Sequence, residues 1–207
     1  SAASDVYKRQ NKMGYVDCRI FDFVYEMAMR DATMRTAFSG DRKNIRQNLQ
    51  AKNAVHRYSD NILSGNEYDF YETESVVENA LSKYGFSFGN CQKLINMTAK
   101  YFYIASYGNE AIRKNFEKCH CPMDSVMIKN AVSFYSQKKD DKVCGDAKGV
   151  KKALANVSWS RLTRDQGNAP YQYELFQKVI ANLAKEDDMT PLEYDYYAWN
   201  TDNYIFE

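Results

Sequence analysis

The fold is set by residues 86–128, which read FSFGNCQKLINMTAKYFYIASYGNEAIRKNFEKCHCPMDSVMI. Residues 86–90 predict a short turn, and apolar or small residues then recur at helical spacing at Leu94, Met97, Thr98, Tyr101 and Ala105. Gly108 is expected to end this helix, and a loop over 115–121 follows. A second helix is expected to begin at Pro122, because proline is tolerated in the first turn. The stretch therefore predicts turn, long helix, loop and helix.

The same helical period continues on both sides of this stretch. One apolar face precedes it at Ile20, Phe23, Val24, Met27 and Ala28, and another follows it at Leu175, Phe176, Val179, Ile180 and Leu183. Thr190 and Glu193 flank Pro191 in the pattern of a capping box, which predicts a last short helix. The sequence has no alternating strand pattern and no repeat. It predicts an all-α fold of about seven or eight helices, formed as a single domain by residues 11–207.

Composition narrows the setting of the protein. The 207 residues are 44% hydrophobic and 27% charged, and no apolar run is long enough to span a membrane. Five cysteines lie scattered along the chain, and this odd number does not indicate a disulfide framework. We therefore expect no membrane partner and a reducing, cytoplasmic location. The net charge of +1 weighs against extensive wrapping of duplex DNA, although a local basic patch remains compatible with it.

The first residues need separate treatment. Residues 5–10 read DVYKRQ, which resembles the translation of a transposon end used in sequencing libraries. We expect residues 1–10 to be a cloning or sequencing artefact and exclude them from the fold. The native start is expected at Met13 or upstream of the given sequence.

Residues 86–128 resemble the catalytic segment of the helix-hairpin-helix DNA glycosylases. In that family a glycine-rich hairpin precedes a helix carrying a lysine, and a loop then leads to an aspartate at the start of the next helix. Lys93 matches the Schiff-base lysine of the bifunctional members, and Asn96 lies where an asparagine often follows it. Asp124, in the sequence Pro-Met-Asp-Ser-Val, matches the catalytic aspartate. The gap between the two is similar to that of archaeal-type 8-oxoguanine glycosylases.

The resemblance implies a glycosylase-like fold with two lobes around a central cleft. It implies an N-glycosylase for a damaged base of the 8-oxoguanine type, with β-lyase activity, acting on DNA. Lys93 would attack C1′ as a neutral amine, favoured by burial and by the positive end of its helix. Asp124 would stabilise the oxocarbenium charge. Contacts to DNA or to a nucleotide are expected from Gly89, Asn90, Gln92, Asn96, His120 and Trp159.

The chain departs from the family pattern at the hairpin. Two glycines usually hold a DNA phosphate there, but this chain has Gly89 and, at the second position, Cys91. The scattered cysteines do not supply an iron–sulfur cluster. The pattern Cys119-His120-Cys121 lacks a second pair of ligands at zinc spacing, so we expect neither metal nor organic cofactor.

Other interpretations of the same residues stay open. Lys93, Asn96 and Lys100 alone form a stripe typical of a solvated helix face, and an aspartate such as Asp124 stabilises a helix start without any catalytic role. A protein of glycosylase fold could also bind or hydrolyse a free nucleotide, or a nucleotide-derived signal, instead of repairing DNA.

Overall fold

The computed structural model describes residues 17–34, 38–137, 157–164 and 172–203. These residues form nine α-helices and no strand, which confirms the all-α prediction. The helices are α1 (Cys18–Ala32), α2 (Arg42–Arg46), α3 (Leu49–Ser64), α4 (Phe70–Leu81), α5 (Phe88–Ala105), α6 (Glu110–Arg113), α7 (Ser125–Gln137), α8 (Gln172–Glu186) and α9 (Pro191–Asn203). Short 3₁₀ turns cover Ser82–Tyr84, Lys114–Phe116 and Trp159–Arg161.

The number of helices exceeds the predicted seven or eight because α2 and α6 are very short. They span five and four residues in stretches that the sequence presents as polar connections. Each begins at a side chain that caps free backbone amides: Asp41 accepts from Lys43 N and Asn44 N, and Asn109 accepts from Ile112 N. Local capping therefore produces helical turns that a search for apolar periodicity does not detect.

Helix α5 is the centre of the fold. Of its 18 residues, 15 are buried, including Asn90, Gln92, Lys93, Asn96, Thr98 and Lys100. Helices α1, α3 and α4 pack against α5, while α7, α8 and α9 pack on one another. Because α5 is buried on all sides, it lies in the core of the fold. Its polar side chains must therefore find partners within the protein.

Two helix starts differ from the sequence prediction. The turn predicted over residues 86–90 is wrong, because Ser87 and Asn90 form a capping box and α5 begins at Phe88. Lys93 consequently lies in the second turn of α5, where the helix end exerts little influence. The start predicted at Pro122 is also wrong, since α7 begins at Ser125 behind the cap supplied by Asp124.

Two further expectations concern the first ten residues and membrane-spanning segments. Residues 1–10, expected to be an artefact, lie outside the part of the chain that the structure describes. Within the described ranges, no helix has both the length and the apolar character needed to cross a membrane.

Candidate active site

Lys93 and Asp124 meet in the interior of the fold. The Lys93 Nζ atom lies 3.3 Å from Asp124 Oδ2, and the two side chains are 9% and 4% exposed. The Trp159 ring lies over the same ammonium, with its centroid 4.8 Å from Nζ. The carboxylate and the aromatic face both stabilise a positive charge on Lys93. The solvated stripe considered for Lys93, Asn96 and Lys100 is wrong, because all three are buried.

The Asp124 carboxylate accepts from four donors. Its Oδ1 atom accepts from Val126 N at 2.9 Å and Met127 N at 3.1 Å, which caps α7. Its Oδ2 atom accepts from Lys93 Nζ and from the indole Nε1 of Trp199, which lies 3.0 Å away. Both oxygens thus have two partners, and this complement of donors fixes the carboxylate in one orientation.

Two glutamines hold the loop that delivers Asp124. Gln92 donates to the Met123 carbonyl at 2.9 Å and accepts from Met123 N at 3.1 Å. Gln177, on α8, donates to the Cys121 carbonyl at 2.7 Å and accepts from Cys121 N at 2.9 Å. Each amide therefore pairs with both backbone groups of one loop residue. Gln92, predicted to contact DNA or a nucleotide, is hydrogen-bonded in the structure to the residue preceding Asp124.

Asn96 and His120 belong to an adjoining network. Asn96 Nδ2 donates to the Tyr173 hydroxyl at 2.8 Å, and His120 Nδ1 lies 3.0 Å from the same hydroxyl. Burial lowers the pKa of His120 to about 4, so its imidazole is neutral near pH 7. The ring centroids of His120 and Phe70 are 4.5 Å apart. Among the described residues, no hydrogen bond or ion pair joins His120 to Lys93 or Asp124, so His120 belongs to the adjoining network and not to the pair itself.

Gly89 and Asn90 have positions explained by packing. A Cβ atom at Gly89 would lie 2.2 Å from the Trp159 carbonyl oxygen, so only glycine lets residues 159–160 rest on the start of α5. Asn90 donates to the Ala32 carbonyl at 2.6 Å and accepts from Ser87 N at 3.0 Å. Gly89 therefore permits the approach that brings Trp159 to Lys93, and Asn90 ties α5 to α1.

A surface groove borders the site. It encloses about 570 Å³ between α7 and the segment that carries Trp159. The residues lining it are Ser125, Ile128, Lys129, Val132, Ser133, Val157, Ser158 and Trp159. Trp159 contacts both this groove and the Lys93 ammonium, and Ser125 directly follows Asp124. The groove thus reaches the immediate neighbours of the Lys93–Asp124 pair.

A second buried ion pair lies along α5. Lys100 Nζ is 2.5 Å from Asp195 Oδ2, and the Asp195 side chain is fully buried. Burial raises the pKa of Asp195 to about 6, while the Lys100 charge acts in the opposite direction. Lys100 follows Lys93 by seven residues, and Trp199 follows Asp195 by four, so each couple lies on one helix face. Those spacings were the available signal for Lys100, Asp195 and Trp199, which the sequence-based site prediction missed.

The Cys119-His120-Cys121 segment has partners other than a metal. The Cys119 thiol lies 3.6 Å from the Tyr68 hydroxyl, and burial raises its pKa to about 12. The described ranges contain no group of three histidine, cysteine, aspartate or glutamate side chains placed to hold a metal ion.

The structure thus brings Lys93, Asp124 and Trp159 together, and it adds Trp199 as a direct partner of Asp124. Gln92 forms a hydrogen bond with the residue that precedes Asp124, and Gly89 leaves room for the backbone of residues 159–160 beside α5. No family model matches the chain, and comparison with curated proteins and with solved structures likewise gives no match.

Proposed function

We propose that the protein is an N-glycosylase that removes a damaged base of the 8-oxoguanine type from DNA, with an associated abasic-site lyase step. The observation that carries this proposal is the contact of 3.3 Å between Lys93 Nζ and Asp124 Oδ2, whose side chains are both buried. The resemblance of residues 86–128 to helix-hairpin-helix glycosylases supports the same assignment. A helix cap alone would not require a buried lysine beside the carboxylate.

The chemistry assigns one role to each side chain. Lys93 gives up a proton to Asp124, and its nitrogen lone pair forms a bond to C1′ of the target nucleotide. The C1′–N bond to the base breaks, and its electron pair leaves with the base. The base takes up the proton held by Asp124, so the carboxylate is charged again as positive charge develops on the sugar. Asp124 stabilises the positive charge that develops on the sugar. The attached Lys93 nitrogen then releases a proton to O4′ as the C1′–O4′ bond breaks, and its lone pair forms the imine between C1′ and Lys93, from which a lyase step proceeds.

Access to Lys93 requires Trp159 to give way. In the described conformation the Trp159 ring lies 4.8 Å from the ammonium and also lines the adjacent groove. A flipped nucleotide entering from the groove would displace this ring or stack on it. Displacement would remove one of the two contacts that stabilise the ammonium and would favour transfer of its proton.

The test is single-turnover release of 8-oxoguanine from a duplex by Asp124→Asn. Asparagine still caps α7, while the carboxylate charge is lost and the Lys93 ammonium loses its carboxylate partner, so the fold of the variant is verified by circular dichroism. We expect release at least about a hundredfold slower than with the wild-type protein. The matched control is Asp41→Asn, because Asp41 also caps a helix but has no described contact with Lys93 or Asp124. Equal rates for Asp124→Asn and the wild-type protein would refute the assigned role.

A second candidate is binding or hydrolysis of a free nucleotide or nucleotide-derived signal. One observation favours it: residues 88–91 are helical and Gly89 packs on the backbone of residues 159–160. The start of α5 therefore lacks an open hairpin whose amides would hold a DNA phosphate. The net charge of +1 points the same way.

Salt dependence separates the two candidates. Binding of an abasic-site duplex through several phosphate contacts weakens steeply with salt, whereas a single nucleotide neutralises few charges. Steep salt dependence without competition by free nucleotides favours DNA. Competition by nucleotides at low concentration, with no preference for the damaged duplex, favours the second candidate.

A further inference from the structure

We infer that Trp199 is a positioning residue that holds the Asp124 carboxylate in place while Lys93 reacts, and that the Lys100–Asp195 pair fixes the helix that carries Trp199. The catalytic part of this role rests on the proposed glycosylase function. The hydrogen bond itself is testable without any activity.

The first argument comes from the two oxygens of Asp124. Backbone amides hold Oδ1, and these donors do not change during a reaction. Oδ2 has only Lys93 and Trp199 among the described residues. When the Lys93 nitrogen turns to C1′, the indole N–H becomes the remaining donor to Oδ2. Because the indole carries no ionisable proton near neutral pH, this contact persists through every protonation change of the lysine.

The second argument concerns how Trp199 is placed. Its side chain is 38% exposed, so the interior does not enclose the ring, although its N–H reaches the buried carboxylate. One turn earlier on α9, Asp195 is fully buried against Lys100 of α5. The Trp199 ring centroid also lies 5.8 Å from the Lys100 ammonium. Helix α9 is therefore joined to α5 by one face that carries both Asp195 and Trp199.

The third argument is the free-energy cost of burying the Lys100–Asp195 ion pair. The Asp195 oxygens have no aligned hydrogen bond in the described part of the chain, and their only close partner is the Lys100 ammonium. A buried ion pair without further hydrogen bonds contributes little to stability, and in some proteins such a pair specifies how two elements meet. The Lys100–Asp195 pair can therefore fix the position of α9 so that the Trp199 indole N–H reaches Asp124.

The hydrogen bond is tested by NMR of the indole N–H groups. The chain has two tryptophans, so its indole region holds two signals, and Trp159→Phe assigns them. We expect the Trp199 signal to exchange slowly with water and to move markedly in Asp124→Ser, which keeps the α7 cap but lacks the second oxygen. Asp124→Asn is the second variant, should the serine protein be poorly folded. A Trp199 signal unchanged in both variants overturns the inference.

The positioning role is tested by single-turnover base release with Trp199→Phe. Phenylalanine keeps an aromatic ring and loses the N–H, which removes one hydrogen bond to a charged group. We expect the maximal single-turnover rate constant to fall about tenfold to a hundredfold, with the half-saturating protein concentration little changed. Trp199→His, which returns a ring N–H, should recover part of the rate. The matched control is Tyr196→Phe, because Tyr196 lies on the same helix and is exposed.

The outcomes separate two failures. A wild-type rate for Trp199→Phe overturns the positioning role while the glycosylase function stands. A wild-type protein that releases no base from any duplex overturns the proposed function and the catalytic role of Trp199 together. The NMR result still decides in that case whether Trp199 holds Asp124.

Discussion

Replacing Lys93 with methionine should destabilise the protein less than replacing Lys100 with methionine, although the two lysines are close counterparts. Both lie on α5, both are more than nine-tenths buried, and each pairs with an aspartate. Methionine keeps most of the aliphatic stem and removes the charge. The difference lies in what each aspartate retains.

The magnitude follows from the remaining donors. Asp124 keeps three N–H partners when Lys93 is replaced, so the loss is that of one charge-assisted hydrogen bond, about 1.5–3 kcal/mol. Asp195 keeps no aligned donor among the described residues when Lys100 is replaced, so the loss is that of a broken buried pair, about 3–5 kcal/mol. A difference of about 2 kcal/mol lowers Tm by roughly a further 4–8 °C in a protein of this size.

The pH dependence gives a second signature. The pKa of Asp195 is raised to about 6, so the folded protein holds this proton more tightly than the unfolded chain does. The free energy of unfolding therefore falls as pH rises from about 4 to about 6. Loss of Lys100 removes the opposing cation and extends this fall to higher pH. The destabilisation by Lys100→Met should consequently shrink when the pH is lowered from 7.5 to 5.

The assay is urea denaturation of wild type, Lys93→Met and Lys100→Met at pH 7.5 and pH 5. The free energy of unfolding of each variant is compared with that of the wild type at the same pH, so the contributions of the other carboxylates cancel. Equal destabilisation by the two substitutions at pH 7.5 would show that the three remaining donors do not hold Asp124. If Lys100→Met destabilises the protein equally at pH 7.5 and pH 5, the raised pKa assigned to Asp195 is wrong.

Three further predictions follow from packing and charge. Gly89→Ala must push the Trp159 carbonyl away by about 1 Å, because ordinary contact begins at 3.4 Å, and should change Trp159 fluorescence; an unchanged spectrum would contradict the close approach. Gln177→Leu leaves the backbone N–H of Cys121 without its partner and should lower the free energy of unfolding by about 1–3 kcal/mol in urea, and a loss under about 0.5 kcal/mol would count against the clamp. Burial raises the pKa of Glu74 to about 7, so its ionisation lowers stability as pH rises from about 4.5 to about 7; Glu74→Gln should raise Tm at pH 8 and not at pH 5, and a lower Tm at pH 8 would contradict this assignment.

The sequence predicted the helical class, and the family resemblance assigned Lys93 and Asp124 to one active site. Apolar periodicity is strong in most of the long helices, so all-α character followed directly. Lys93 and Asp124 are 31 residues apart, and only the family resemblance suggested that they meet. The structure brings them together, whereas their catalytic roles stay predictions.

The supporting residues were harder to predict for a physical reason. Gln92 and Gln177 form hydrogen bonds with the backbone of one loop. Backbone groups are nearly the same at every residue, so the sequence does not indicate which of them a side chain will bind. The helix starts at Phe88 and Ser125 were misjudged because side-chain capping by Ser87 and Asp124 outweighed the cues of glycine and proline.

The most direct test of the account is borohydride trapping of the protein on an abasic-site duplex, followed by mapping of the modified peptide. If Lys93 is the nucleophile, reduction of the imine with C1′ leaves a covalent adduct on Lys93 in the wild-type protein. Lys93→Gln should form no adduct, while Lys43→Gln, which changes an exposed lysine of α2 outside the groove, should be trapped like the wild-type protein. An adduct that forms unchanged in Lys93→Gln, or that maps to another lysine, would contradict the central claim.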